Sequence, residues 1–390
     1  KGEACFIRAM VMMELTMYWG EIPVVDIAKM ENSARQPLEK VWKQIFDDFT
    51  FASTSLKEKY TESGDKTRAT SGAAYAMLGK AYMSVPQETG MRDFKLAKES
   101  FEAMMNRYQL DPDFANLFDE KLEFNSPESI LELDYDNVNR INHWQFDMGS
   151  RTVVATFGEG CYFAGYDVAL PTEYAYKSKS EGGIWEEGDL RRDESIRYDF
   201  TYLGITPTEV SWGADELDPH IKKYEDERTD QFNGNLANEW YSGKNFIVLR
   251  YADVLLCYAE CLNELGETGQ ANTIVNQVRA RAWGGTLPNE MAWNYGQDEF
   301  RTQIMNERIR ELSMEAGRTV KVEGKDNDLL ERIAADPAFN LTIEELRKSM
   351  EPSRYVGRAK EQTVTFIEKT VQPVLDAHKD MLGMTAEINV

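Results

Sequence analysis

The chain has 390 residues, 42% hydrophobic, 11% aromatic and 28% charged, a globular composition that excludes disordered and fibrous scaffolds. Lys and Arg total 44 against 67 Asp and Glu, leaving a formal net charge of −23 that repels phosphate backbones and argues against nucleic-acid binding. No apolar run approaches the ~18–20 residues of a membrane helix. The chain opens at Lys1 with neither an initiator methionine nor a secretory leader, so upstream sequence is expected to be missing.

From Lys1 to about Leu110 the pattern is helical. In the first segment Ala4, Ile7, Ala9, Met10, Met13, Leu15 and Met17 crowd the faces of a helix. Leu38, Val41, Trp42, Ile45, Phe46 and Phe49 follow at the spacing of one helix face, and Trp19 and Trp42 are both expected in the core. Gly64 and Asp65 break the chain, and Thr67 or Thr70 is placed to cap a new helix. A further helix is expected from about Arg92 to Arg107.

From Asp111 to about Lys244 aromatic, glycine and acidic residues interleave without a long period, which reads as loops, short helices and short strands, SILELDY among them. Helices return from Asn245 to about Arg332, and the tail beyond Asp336 is helical in propensity. Tyr75, Leu78-Gly79 and Tyr82 with Ala97 and Phe101 match a tetratricopeptide-type hairpin. Leu255, Tyr258-Ala259, Leu262, Ala271 and Val275 repeat the scheme. Two such units so far apart fit a helical scaffold carrying a long insertion.

The four cysteines, Cys5, Cys161, Cys257 and Cys261, are too few for a disulfide framework and read as buried structural residues. Neither these nor the three histidines form a metal signature, and there is no GxSxG, HExxH or Walker loop. Asp134 and Asp136 hint at calcium but lack the glycine turn of a calcium loop. No cofactor is expected, although the acidic surplus leaves room for a structural Ca²⁺.

Five blocks in order resemble the SusD/RagB family, surface nutrient-binding lipoproteins of Bacteroidetes outer membranes. GEACFIRAMVMMELTMYWGEIPVV is similar to the family's opening helix and turn, and KTRATSGAAYAMLGKAYM to its second helical block. SPESILELDY resembles the family strand. FIVLRYADVLLCYAECLNELG, followed by NQVRARAWGG, is the most specific match, and IMNERIRELSMEAGR resembles the block that closes the scaffold. The chain departs from the family pattern after about residue 318, and the lipobox region is absent.

The resemblance implies a mostly α fold. A tetratricopeptide-like helical-pair scaffold (about 1–110 and 245–335) carries an irregular, loop-rich lobe with short strands (about 111–244), and a helical tail follows over 336–390, all within one domain. It further implies a non-catalytic protein on the outer face of the outer membrane, held by an N-terminal lipid anchor absent from this chain. Such a protein would capture an oligosaccharide or polysaccharide and pass it to a SusC-like TonB-dependent transporter. A peptide-binding RagB-type protein and a tetratricopeptide-type adaptor are the alternatives.

The lobe aromatics Trp144, Tyr162, Phe163, Tyr166, Trp185, Trp212, Trp240 and Tyr241 lie outside any helical stripe, and two or three of them are expected to face ligand. Tyr162, Tyr166, Trp185 and Trp212, set among glycines that free the backbone to present rings, are the stacking candidates. Asp189 and Arg191 nearby are the candidates for bonding sugar hydroxyls.

Overall fold

The computed structural model describes residues 1–24, 34–60, 67–122, 126–136, 138–207, 218–235, 241–313, 369 and 372–377. The chain forms two compact units, Lys1–Gly324 and Lys325–Val390. Within the second, the described residues include a short helix, Gln372–Ala377; the rest of the expected helical tail lies outside the described residues.

The first unit is mostly helical. Helix α1 (Gly2–Trp19) leads through the two-residue pair β1 (Ile22–Pro23) and β2 (Arg35–Gln36) into α2 (Leu38–Ser55), and α3 (Ser71–Ser84) and α4 (Phe94–Glu102) follow. The expected apolar stripe of α2 is realised: Val41, Trp42, Ile45, Phe46 and Phe49 are all buried. Phe49 meets Phe6 of α1 edge-on with centroids 5.8 Å apart, and Phe46 stacks on Tyr82 of α3 at 4.5 Å. Of the two candidate caps, Thr70 serves α3 by accepting from the Ala73 N–H at 3.1 Å. Asp93 caps α4 through the N–H groups of Lys95 and Leu96. Gly79 is where α3 and α4 meet, since a Cβ there would lie 2.6 Å from the Phe101 ring.

The irregular lobe begins with β3 (Ser129–Leu133). It continues through the short helices α5 (Trp144–Met148), α6 (Val154–Phe157), α7 (Glu173–Tyr176) and α8 (Arg191–Ser195), the pair β4 (Ile196–Arg197) and β5 (His220–Ile221), and β6 (Phe246–Arg250). β6 runs antiparallel to β3. Helix was expected from Asn245 onward. The run Phe-Ile-Val-Leu is instead a strand, because β-branched and aromatic residues suit the pleated edge that β3 offers.

The helix proper starts at Tyr251. Helix α9 (Tyr251–Glu264) packs against α4, α10 (Thr268–Ala282) and α11 (Gln297–Leu312). It is buried on both sides: Val254, Cys257 and Cys261 join the core of α1–α4, while Leu255, Leu256, Ala259 and Leu262 join the core of α10 and α11. Ala259 has no exposed surface, as a helical pair in close approach requires. Asp253 accepts from Lys80 of α3 at 2.5 Å and Arg308 of α11 at 3.0 Å, tying three helices together.

Two further expectations meet the structure here. All four cysteines are free and buried. Trp19, expected in the core, is 63% exposed, and with Ile7, Val11, Leu15 and Tyr18 it forms an apolar stripe along the outer side of α1. The α1 side that is covered packs on α2 and carries Phe6, Ala9, Met12 and Met13 instead. Among the described residues no helix is long and apolar enough to cross a membrane.

Candidate functional site

Two of the exposed rings of the lobe, Trp144 and Tyr166, sit on or against α5. Asn142 accepts from the Trp144 N–H at 3.1 Å and so starts the helix with Trp144 at its first position. The Trp144 indole lies nearly parallel to Tyr224 (5.8 Å, 27°) and Phe246 (5.6 Å, 27°), and those two are parallel to each other (6.0 Å, 7°). Trp144 remains 38% exposed. Nearby, Tyr241 meets the edge of His143 at 4.8 Å.

Tyr166 is also 38% exposed, and it backs edge-on against Phe146 at 4.4 Å. Its backbone is fixed rather than free. The N–H groups of Tyr166, Asp167 and Val168 donate to the carbonyls of Phe146, Gly149 and Asp147. Gly165 permits this approach, since a Cβ there would lie 2.1 Å from the Phe146 carbonyl oxygen. Arg151 donates to the Tyr166 carbonyl at 2.7 Å and stands 5.7 Å from its ring centre. Asp167, at φ 55°, accepts from the Arg151 N–H and from His220 Nε2. Burial alone would raise its pKa, but His220 and Arg151 hold the carboxyl below its usual range.

The other proposed residues lie deeper. Tyr162 is 7% exposed, packed against Phe163 and Tyr202 with its hydroxyl accepting from Arg197, and burial pushes its pKa up to about 12. Trp185 is 1% exposed and donates its indole N–H to Ala175 at 2.7 Å. The loop that carries it closes on itself through Lys179 N–H to the Trp185 carbonyl. Gly183 fits because a side chain would strike the Lys177 carbonyl at 2.1 Å. Trp185 nevertheless borders a cavity of about 370 Å³ that it shares with residues 178–180, Glu186, Arg279 and Tyr295. Trp212 and Trp240 lie outside the described residues.

Asp189 and Arg191 have no exposed side-chain surface. Arg191 forks onto Asp189 and reaches Glu307 and Glu311 of α11, each at 2.8 Å. Arg250 joins Glu128 and Glu311, Arg281 joins the same two carboxylates, Arg279 joins Glu186 and Glu307, and Arg310 joins Glu307. Burial would raise the pKa values of Glu307 and Glu311, but the surrounding arginines hold both carboxyls well below their usual range. The expected hydroxyl-bonding pair is thus part of a buried network that ties the lobe to α10 and α11, and its hydrogen bonds are taken up by protein.

Asp134 and Asp136 are both paired with Arg140, and Asp136 also accepts three backbone N–H groups, so this loop is organised by arginine. Among the described residues no three His, Cys, Asp or Glu side chains converge as metal ligands. Sequence reasoning missed Tyr224, Phe246 and Tyr295. Their signal, an aromatic beside polar residues, recurs too often along the lobe to single them out.

The model of the SusD family matches residues 127–322, and a second, described as starch-binding associating with outer membrane, matches residues 1–83. The chain belongs to the SusD family. A SusD-like protein of Formosa agariphila is 29% identical over 334 residues, covering 80% of this chain. This chain spans 62% of that relative's length. A SusD-like protein of Bacteroides fragilis aligns with a TM-score of 0.64 at 21% identity, over 82% of this chain and 68% of its own. The surface glycan-binding protein A of Bacteroides uniformis does so with a TM-score of 0.64 at 20% identity, over 87% and 71%.

The end of the chain has a different likeness. Residues 300–366 match the adenylosuccinate lyase C-terminus, and the Schizosaccharomyces pombe enzyme is 48% identical over 77 residues. That stretch is 20% of this chain and only 16% of the lyase. The two matches overlap over residues 300–322, and the SusD-type match ends at 322, close to where the sequence departs from the family pattern.

Proposed function

We propose that this chain is a non-catalytic glycan-binding protein of the outer-membrane surface, lipid-anchored through sequence upstream of Lys1, which captures oligosaccharides and hands them to a SusC-like TonB-dependent transporter. One observation carries the reading: Trp144, at the head of three nearly parallel rings, and Tyr166, braced by Phe146 and Arg151, both remain open to solvent about α5. A sugar ring has faces of C–H groups that stack on such surfaces, and aromatic side chains with a polar tip suit a wet interface. Family membership and the glycan-binding neighbour of Bacteroides uniformis support it. The lyase-like stretch is too short a part of the lyase to carry its reaction.

A glycan array on purified protein selects the ligand, and titration calorimetry then compares Trp144→Ala and Tyr166→Ala with wild type. Each removed ring is expected to cost about 2 kcal/mol, roughly thirtyfold in affinity. If no glycan binds, or both variants bind as wild type, the reading fails. Transporter hand-off is tested separately by co-purification with a TonB-dependent transporter from the same organism; no association would remove that part of the reading.

A further inference from the structure

We propose that the cavity between the 178–187 loop and residues 289–295 is a binding site of its own, taking a sugar unit that carries a free amine in preference to one that carries an acid. The sugar part of that ligand rests on the carbohydrate reading; the charge rests on the cavity alone. At about 370 Å³ the space lies within the range of small-molecule pockets. Tyr295, half-buried, supplies the aromatic wall, and Trp185, held by its indole hydrogen bond to Ala175, closes the cavity from behind with almost no exposed surface. Aromatic rings attract sugar C–H faces and ammonium groups alike.

The charges at the cavity differ in what they have left to offer. Arg279 is engaged on every nitrogen: Nε and Nη2 donate to the Met291 carbonyl, Nη1 to Glu307, and Nη2 also to Glu186 at 2.5 Å. Lys179 donates to Glu186 at 2.6 Å. Burial would raise the Glu186 pKa, but Arg310, Arg279 and Lys179 outweigh it and hold the carboxyl below its usual range, so it stays ionised between its cations.

Glu187 and Glu290 are different. Both are exposed at the rim, and neither side chain makes a hydrogen bond or ion pair among the described residues. The Glu187 backbone is nonetheless anchored, its carbonyl accepting from the Trp283 indole at 3.3 Å. Three carboxylates against two cations leave the lining one negative charge in excess, in a chain of net charge −23. An entering ammonium meets two unengaged carboxylates beside an aromatic wall. An entering uronate or sulfate meets the same carboxylates. Arg279 has every nitrogen engaged, and Lys179, which keeps further N–H donors, is the one cation of the lining still open to it, its charge already shared with Glu186.

The test is titration calorimetry of the whole chain with glucosamine, glucose and glucuronate, repeated on the Glu187→Gln, Glu290→Gln double variant. Both residues are exposed, so the variant keeps its fold, which circular dichroism verifies. Glucosamine is expected to bind about tenfold tighter than glucose, with glucuronate weakest, as two exposed ion pairs would give. The double variant should erase the difference, and raised salt should narrow it. Three sugars binding alike, glucosamine failing to bind at millimolar concentration, or an amine preference that survives in the variant overturns the proposal. A failed glycan array with this selectivity intact removes the glycan-capture reading alone. An array hit without charge selectivity removes only the present proposal.

Discussion

Glu311→Gln should be among the most damaging single-atom changes available in this fold. The glutamine has the size and shape of the glutamate, so packing is unchanged and only the charge is lost. The network holding Glu311 contains five buried arginines (Arg191, Arg250, Arg279, Arg281, Arg310) and five carboxylates (Glu128, Glu186, Asp189, Glu307, Glu311). Arginines and carboxylates are equal in number, with Lys179 on Glu186 and the buried Lys223 on the Glu311 carbonyl as further cations, so the substitution adds to a positive excess. Arg191 bonds one carboxylate oxygen while Arg250 and Arg281 share the other, so whichever way the amide sits its NH2 is a donor facing at least one arginine donor, and all three lose the negative charge. Removing one partner of a buried pair costs about 3–5 kcal/mol, and three shared partners put this site at the upper end of that range. Against a typical stability of about 5–15 kcal/mol, the loss is a large shift in the urea midpoint followed by circular dichroism. Arg250→Met, which removes a cation and supplies apolar volume while Arg191 and Arg281 still serve Glu311, should cost less. An unchanged midpoint for Glu311→Gln, or a larger loss for Arg250→Met, would refute the view that this network fastens the lobe to the scaffold.

Acid should act through the same groups. Glu307 and Glu311 have folded-state pKa values well below 4.5, their ordinary value, so the unfolded chain takes up protons that the folded one refuses. Their contribution is present in full at pH 7 and is lost progressively as pH falls below 4.5, which urea titrations across that window will measure; stability that is flat there contradicts the assignment. Ala259→Leu should overpack α9 against α10 and Gly79→Ala should strike the buried Phe101 ring, each lowering stability by about 1–3 kcal/mol. A neutral result at either position would mean that the helical pairs do not meet through these small residues.

The scaffold was legible because its signals are local. The stripe of α2, the cap at Thr70 and the small residues Gly79 and Ala259 each declare a buried face within a few residues of sequence. Trp19 shows the boundary of that information: periodicity assigns a residue to a face, but whether another element covers that face is decided elsewhere in the chain. The lobe was misleading for a related reason. Glycines beside Tyr166 and Trp185 suggested freedom to present a ring, whereas Gly165 and Gly183 are there because backbone passes too close for a Cβ. Arg191 looked like a surface hydrogen-bonding group because its partner Glu307 is 116 residues away. Tyr166 and Trp144 were legible as aromatics outside any stripe, but their exposure follows from long-range packing against residues such as Phe246.

The burial of every native thiol makes the chain a convenient host for a reporter. Burial pushes the Cys161 and Cys257 pKa values up to about 12, so the reactive thiolate is scarce at neutral pH, and Cys5 and Cys261 are likewise enclosed. Ser180 is exposed on the rim of the 370 Å³ cavity. A Ser180→Cys variant would therefore carry a single quickly alkylated sulfur, and an environment-sensitive dye attached there could follow cavity occupancy optically in an otherwise native chain.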